Sequence, residues 1–150
     1  MKRILFSILI LLDFSLAGFA QTAGIYTLGG LNGGTNVVAA ATTNSPAITF
    51  AVSEYDTVGI QVTLAASTTN TTAVVFKFAK TLDSTNYETT PSLSVSVTPN
   101  GVTSVTKVDS LSVANVAGLK LVSIENENAN GYVTNVSVKY RVKAAKVLTR

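Results

Sequence analysis

The stretch VTNVSVKYRV at 133–142 alternates without a break. Thr134, Val136, Val138, Tyr140 and Val142 fall on one side, and Val133, Asn135, Ser137, Lys139 and Arg141 on the other. Successive side chains of an extended chain point to opposite faces, so this pattern describes a strand with one face covered and one face wet. The rhythm recurs along the chain. VGIQVTLAA (58–66) sets Val58, Ile60, Val62 and Leu64 against Gln61 and Thr63. AVVFKFAK (73–80) groups Val74, Phe76 and Phe78, and SLSVSVT (92–98) turns its serines away from Leu93, Val95 and Val97. AITFAV (47–52) and VTSVTKV (102–108) have strand length, the second with a weaker pattern. In GLKLVSIEN (118–126), Leu119 and Leu121 share one side while Val122 and Ile124 share the other, which predicts a bulge or burial on both faces.

The connections carry turn chemistry. Asn100-Gly101, after Pro99, favours a tight turn with positive φ, and Asn130-Gly131 does the same before the last strand. ASTTNTT (66–72) reads as a polar hairpin loop, and VDSLSVANVAG (108–118) fits either one helical turn or a further short strand. No segment after residue 20 shows a helical apolar stripe. The expectation is an all-β protein: a single antiparallel β-sandwich over 46–143 with jelly-roll or immunoglobulin-like connections.

The chain ends differ from this body. MKR followed by ILFSILILL (4–12) and LAGFA (16–20) has the layout of a secretory signal peptide cleaved after Ala20, before Gln21. The alternative is a retained anchor, although Asp13 interrupts the apolar run well short of the roughly 20 residues a span needs. Residues 21–45, rich in Gly, Ala, Thr and Asn, read as a flexible segment that buries little apolar area against its ordering entropy. Residues 144–150 form a basic tail. Lys139, Arg141, Lys143, Lys146 and Arg150 gather near the C-terminus as a solvated strand end or a polyanion-binding arm.

Composition narrows the chemistry. Among 150 residues there is no Cys, His or Trp. That excludes thiol and imidazole catalysis and nearly every zinc or copper site. An exported chain without Cys also has no disulfide staples, so its stability rests on its core; this composition fits bacterial or phage origin better than a small animal ectodomain. The formal charge is +3, and loss of 1–20 removes two cations and one anion to leave +2. No basic patch points to nucleic acid.

Three acidic groups are candidate sites. In TLDSTNYETT (81–90), Asp83, Asn86 and Glu88 are possible oxygen ligands for calcium, but the stretch lacks the Gly and two of the ligands of an EF-hand loop. The same residues also make a turn: Asp83 can form an Asx-turn and Asn86 tolerates the left-handed region. Tyr87 could stack on a sugar or cover the sandwich edge. The second group is Glu125 and Glu127, two apart, a spacing that paired catalytic carboxylates and a plain solvated loop both allow. The third is Glu54 and Asp56, with Tyr55 between them. Loops 53–57, 81–90 and 125–131 would form a cation or sugar site only if they met. Sequon matches at Asn70 and Asn135 arise readily by chance in a Thr- and Asn-rich chain, and Asn135 lies mid-strand.

The run TLDSTNYETTPSLSV after an aromatic strand, the Asn-Gly hairpin and the late LKLVSIENENANGYVTNVSVKYRV resemble small β-sandwich proteins of tailed-phage virions and related bacterial secreted or surface proteins. Those carry a Ser-x-Asp-Gly-x-x-Trp-like turn. Here Thr81, Asp83 and Tyr87 take the Ser, Asp and Trp places, and Ser84 stands where Gly is usual. The resemblance spans about 47–142 and carries no catalytic motif. It implies a structural or surface-attachment role, with glycan recognition as a further expectation. The signal peptide departs from virion proteins assembled in the cytoplasm and favours the secreted branch.

The expectation is therefore a non-enzymatic exported structural or adhesive protein of a cell surface, appendage or virion, with no cofactor unless calcium. The alternatives are a carbohydrate-binding module and a subunit that polymerises through 21–45. The corresponding partners are surface glycans or further copies of the chain, with membrane contact only through an uncleaved signal segment.

Overall fold

The computed structural model describes residues 25–28, 38–53, 55–67, 72–129 and 131–142. Residues 1–20, read from sequence as a signal peptide, Glu54, Asn70, Asn130 and the tail 144–150 lie outside them. Every described element is a strand: β1 (Ile25–Leu28), β2 (Thr42–Asn44), β3 (Ile48–Ala51), β4 (Thr57–Ala66), β5 (Val74–Thr81), β6 (Leu93–Val97), β7 (Val105–Ser112), β8 (Gly118–Asn126) and β9 (Val133–Val142).

All pairings are antiparallel. One sheet runs β1-β9-β4-β7 and the other β2-β8-β5-β6, with β3 also on β8. β2 and β3 are one edge strand broken in the middle. Asn44 faces Ile124 and Ile48 faces Leu121, so one residue too many lies between them. Pro46 and the positive φ of Ala47 (53°) fall in that break. Proline is tolerated there because one side of an edge strand has no ladder partner. With β2/β3 counted once, the first strand pairs with the last, the second with the last but one, and so inward to β5 and β6. That is a long hairpin rolled over on itself, an eight-stranded jelly roll; the immunoglobulin-like alternative gives way to it.

The sandwich does not begin at residue 46. β1, β2 and the bridge of Val38 to Val133 all fall within 21–45. Leu28 and Val38 are buried in the core. The reading of 21–45 as wholly flexible is corrected accordingly.

Between the sheets lie Val58, Ile60, Val62 and Leu64 of β4, Phe76 and Phe78 of β5, and Leu119, Leu121 and Ile124 of β8, all fully buried. Each such side chain contributes roughly 1.5–3 kcal/mol on removal from water. Two bulges tune this packing. In β8 the register jumps between Ser123, opposite Lys77, and Leu121, opposite Phe78. Val122 is the extra residue, and the jump lets Leu121 and Ile124 both point inward. In β9 the jump lies beside Asn135, whose φ is 54°. It reverses the phase of the strand's first residues, so Val133 is buried and Thr134 is not, against the simple alternation. β7 runs 105–112 rather than 102–108. As an edge strand it buries only Leu111, which explains its weak pattern. No helical turn forms over 108–118.

Outside the four-stranded sheet, the register sets side chains in rows. Ile25, Arg141, Gly59 and Ser110 form one; Thr27, Lys139, Gln61 and Val108 the next; Ser137, Thr63 and Thr106 a third. The Thr63 and Thr106 hydroxyls meet at 2.9 Å. On the opposite side, Tyr26 stacks on Tyr140 (5.0 Å between centroids), Tyr140 meets Phe50 (4.4 Å) and Phe50 meets Phe78 edge-on (6.3 Å). This aromatic ladder links β1, β9, β3 and β5 across the two sheets.

Candidate functional site

Three connections meet at one end of the sandwich: 52–56, 82–92 and 113–117. The amides of Val52 and Ser53 donate to Ala117 O, that of Val113 to Asp56 O, and that of Ala117 to Thr81 O. Tyr55 packs against the core here, and Asp56 is exposed. Glu125 and Glu127 are elsewhere. β8 begins at this end with Gly118, and Glu125 lies seven residues on, about 23 Å along an extended strand. The structure thus brings the described residues of 53–57 and 81–90 to one end and leaves those of 125–131 at the other. Glu125 is ion-paired with Lys77 (2.8 Å) and accepts from Ser123 Oγ (3.1 Å), and Glu127 is exposed beyond the strand.

Asp83 organises its loop. Its Oδ1 accepts from Asn86 N (2.7 Å), Thr85 N (2.9 Å) and Thr81 Oγ1 (2.9 Å), and its Oδ2 accepts from Asn86 Nδ2 (2.6 Å). The bond to Thr85 N is the Asx-turn expected of this residue. The left-handed residue of the turn is Ser84 (φ 62°), not Asn86. Position 84 is where the resemblance leads one to expect Gly, the residue that takes a positive φ without strain. Beyond the turn Tyr87 pairs with Thr81, and Glu88 N donates to Lys80 O (2.9 Å). Glu88 Oε2 accepts from Lys80 N (3.0 Å) and Ser92 Oγ (2.7 Å), which clamps both ends of the loop.

These bonds set the electrostatics. The Asn86 amide, then the Thr85 amide and the side chains of Asn86 and Thr81, hold the Asp83 carboxyl well below the usual carboxylate range. The Ser92 hydroxyl, helped by the Lys80 amide and ammonium, lowers Glu88 against its slight burial. A general acid needs a raised pKa, so neither carboxyl is poised to donate a proton at neutral pH. As calcium ligands, Asp83 and Glu88 would have to redirect oxygens already used by N–H and O–H donors. Among the described residues no three carboxylates gather.

An open concavity of about 500 Å³ lies beside this loop, lined by Lys80, Leu82, Asp83, Asn86, Tyr87 and Glu88 among others. Leu82 is exposed at its rim. Lys120 Nζ stands 5.6 Å over the Tyr87 ring. The Tyr87 hydroxyl lies 3.5 Å from where a Cβ at Gly118 would be, so Tyr87 lies over Gly118.

Sequence reasoning passed over Asn126. Fully buried, it donates through Nδ2 to Ala39 O (3.0 Å) and Gly131 O (2.9 Å) and accepts from Asn128 N (3.3 Å). It ties the far-end connections together. The available signal was an amide at an inward position of β8, in phase with Ile124. Gly59 and Gly118 were also passed over, each an unexplained glycine inside a strand.

No protein-family model matches the chain, and no curated protein does. Among solved structures it is similar to infectious bursal disease virus VP2 in its subviral particle (TM-score 0.47, 8% identity, 83% of this chain and 34% of that chain). It is also similar to the PRD1 vertex protein P5 (TM-score 0.44, 14% identity, 79% and 94%). A third is the N-terminal cellulose-binding domain of Cellulomonas fimi β-1,4-glucanase C (TM-score 0.43, 13% identity, 83% and 91%). The chain spans about a third of the VP2 chain it matches.

Proposed function

We propose that this chain is a non-enzymatic structural or adhesive jelly-roll protein, exported and displayed on a cell surface, appendage or virion. The observation that supports it most is the use made of the acidic side chains. Asp83 and Glu88 hold a loop shut and Glu125 pairs with Lys77, so these three carboxylates serve the scaffold. The signal-peptide layout of 1–20 supports export. Fractionation of the source, followed with an antibody to the purified chain, tests the reading. Recovery in the envelope, appendage or particle fraction is expected, and recovery solely in the cytosol would overturn it.

Carbohydrate binding at the end concavity is the second reading, favoured by Tyr87 lying beside polar Asn86, Glu88 and Lys80. A glycan array that stays blank with and without calcium removes it.

A further inference from the structure

The outer face of the β1-β9-β4-β7 sheet carries a second depression, of about 230 Å³, on the opposite sheet from Tyr87. Its floor is Gly59, with Gln61 in the next row. Ile25 on β1 and Val108 on β7 wall it on two sides, and both are conspicuously exposed, at 69% and 68%. From β1 to β7 the face is about 14 Å across. Lys139 and Arg141 rise from β9 two residues apart, on the same face.

Gly59 has no structural reason to be glycine. Its φ is not left-handed, and among the described residues a Cβ there would meet nothing nearer than Arg141 O at 3.7 Å, an ordinary contact. Glycine inside a strand weakens it and marks a bulge, a tight bend or a close approach by a ligand or another backbone; the register runs evenly through Gly59 in both ladders, which leaves the close approach. Charge gives the second argument. The three outer rows contain two cations and no carboxylate. Asp109 points the other way, towards Lys107 at 3.7 Å. Neither Lys139 nor Arg141 is ion-paired among the described residues.

We propose that this notch binds an anionic polysaccharide, with Lys139 and Arg141 holding a carboxylate or sulfate group and a sugar ring lying over Gly59 between Ile25 and Val108. A guanidinium fork suits either acid group. Thr27, Ser110 and Gln61 share the rows of the two cations and offer hydroxyl and amide partners to a polyol. Two cations are too few for the row of phosphates a nucleic acid presents. A two-fold pairing of this face with a second copy would set its cations close to one another without an intervening anion. The proposal rests on the adhesive branch of the function above.

Affinity electrophoresis of the full chain through dextran sulfate, polygalacturonate and neutral dextran tests it. Retardation by at least one acidic polymer and not by dextran is expected, fading as salt rises; which polymer retards the chain distinguishes sulfate from uronate. Lys139→Gln and Arg141→Gln should each weaken retardation by about tenfold. Lys107→Gln, with the same loss of charge, should leave it unchanged. Gly59→Thr fills the floor without touching a charge; it should weaken binding while melting at or above the wild-type temperature. Absence of retardation by both acidic polymers, equal retardation by dextran, or Gly59→Thr and Arg141→Gln proteins that bind like wild type would each overturn the proposal. A chain recovered from the surface fraction that ignores every acidic polymer sinks this inference alone. A cytosolic chain that binds them sinks the adhesive reading alone.

Discussion

The Asn86 backbone amide donates to Asp83 Oδ1 at 2.7 Å while its side-chain amide donates to Oδ2 at 2.6 Å, so one residue holds both oxygens of one carboxylate. The pair closes the Asx-turn and lets Ser84 occupy its left-handed conformation. Glu88 repeats the device at the loop's exit with Lys80 N and Ser92 Oγ.

The stability supplied by Asp83 should therefore depend on pH. Its folded pKa is depressed, so its contribution is complete above the unfolded value, about 3.9, and is lost as pH falls from there through the lower folded value. Thermal melts of wild type and Asp83→Ala should differ by a constant gap from pH 7 to about 5, then converge below about 4. A gap that holds or widens down to pH 2 would refute this account of the loop.

At the far end, Asn126→Ala removes two donors and leaves the carbonyls of Ala39 and Gly131 without them. It should cost about 1–3 kcal/mol by urea unfolding. Asn126→Asp should cost at least as much at pH 7, since a carboxylate cannot donate to either carbonyl. Equal midpoints for wild type and Asn126→Ala would show that the residue ties nothing together.

How far the sequence carried can be seen strand by strand. The alternations at 58–66 and 73–80 named the inward residues of β4 and β5, because central strands with one wet face express period two cleanly. The bulge in β8 was legible because Val122 and Ile124 broke phase with Leu119 and Leu121. The bulge beside Asn135 was not, since an asparagine with positive φ looks the same in sequence as any solvent-facing asparagine. β1 and β2 were hidden because edge strands need only three or four residues and one buried side chain, such as Leu28. The Asx-turn at Asp83 could be read locally. The separation of 125–131 from 81–90 could not, because it depends on which end of β8 each loop joins.

The Lys77–Glu125 ion pair spans β5 and β8 at 2.8 Å, with side-chain exposures of 39% and 21%. Solvent at that level screens most of the attraction. A double-mutant cycle with Lys77→Met and Glu125→Gln should yield a coupling below about 1 kcal/mol that shrinks further in molar salt. A salt-insensitive coupling of several kcal/mol would mean the outer face of this sheet is covered in solution.

Gly118 and Thr81 face each other at the start of β8. A Cβ at 118 would lie 3.1 Å from Thr81 Cγ2, 3.4 Å from Phe50 O and 3.5 Å from the Tyr87 hydroxyl, in the same end cluster that positions the 82–92 loop. Its φ is not left-handed, so this glycine is kept by crowding and not by backbone conformation. Glycine to alanine in a compatible, open strand position would stabilise by limiting the unfolded chain. Here overpacking reverses the sign, and Gly118→Ala should lose about 1 kcal/mol. Removing the offending methyl with Thr81→Ser keeps the hydroxyl that donates to Asp83 and relieves the closest contact. In the Gly118→Ala background, Thr81→Ser should therefore restore stability, whereas in the wild-type background it should lower it slightly. Urea midpoints of the four proteins decide the matter: identical effects of Thr81→Ser in both backgrounds would show that the two residues do not compete for the same space.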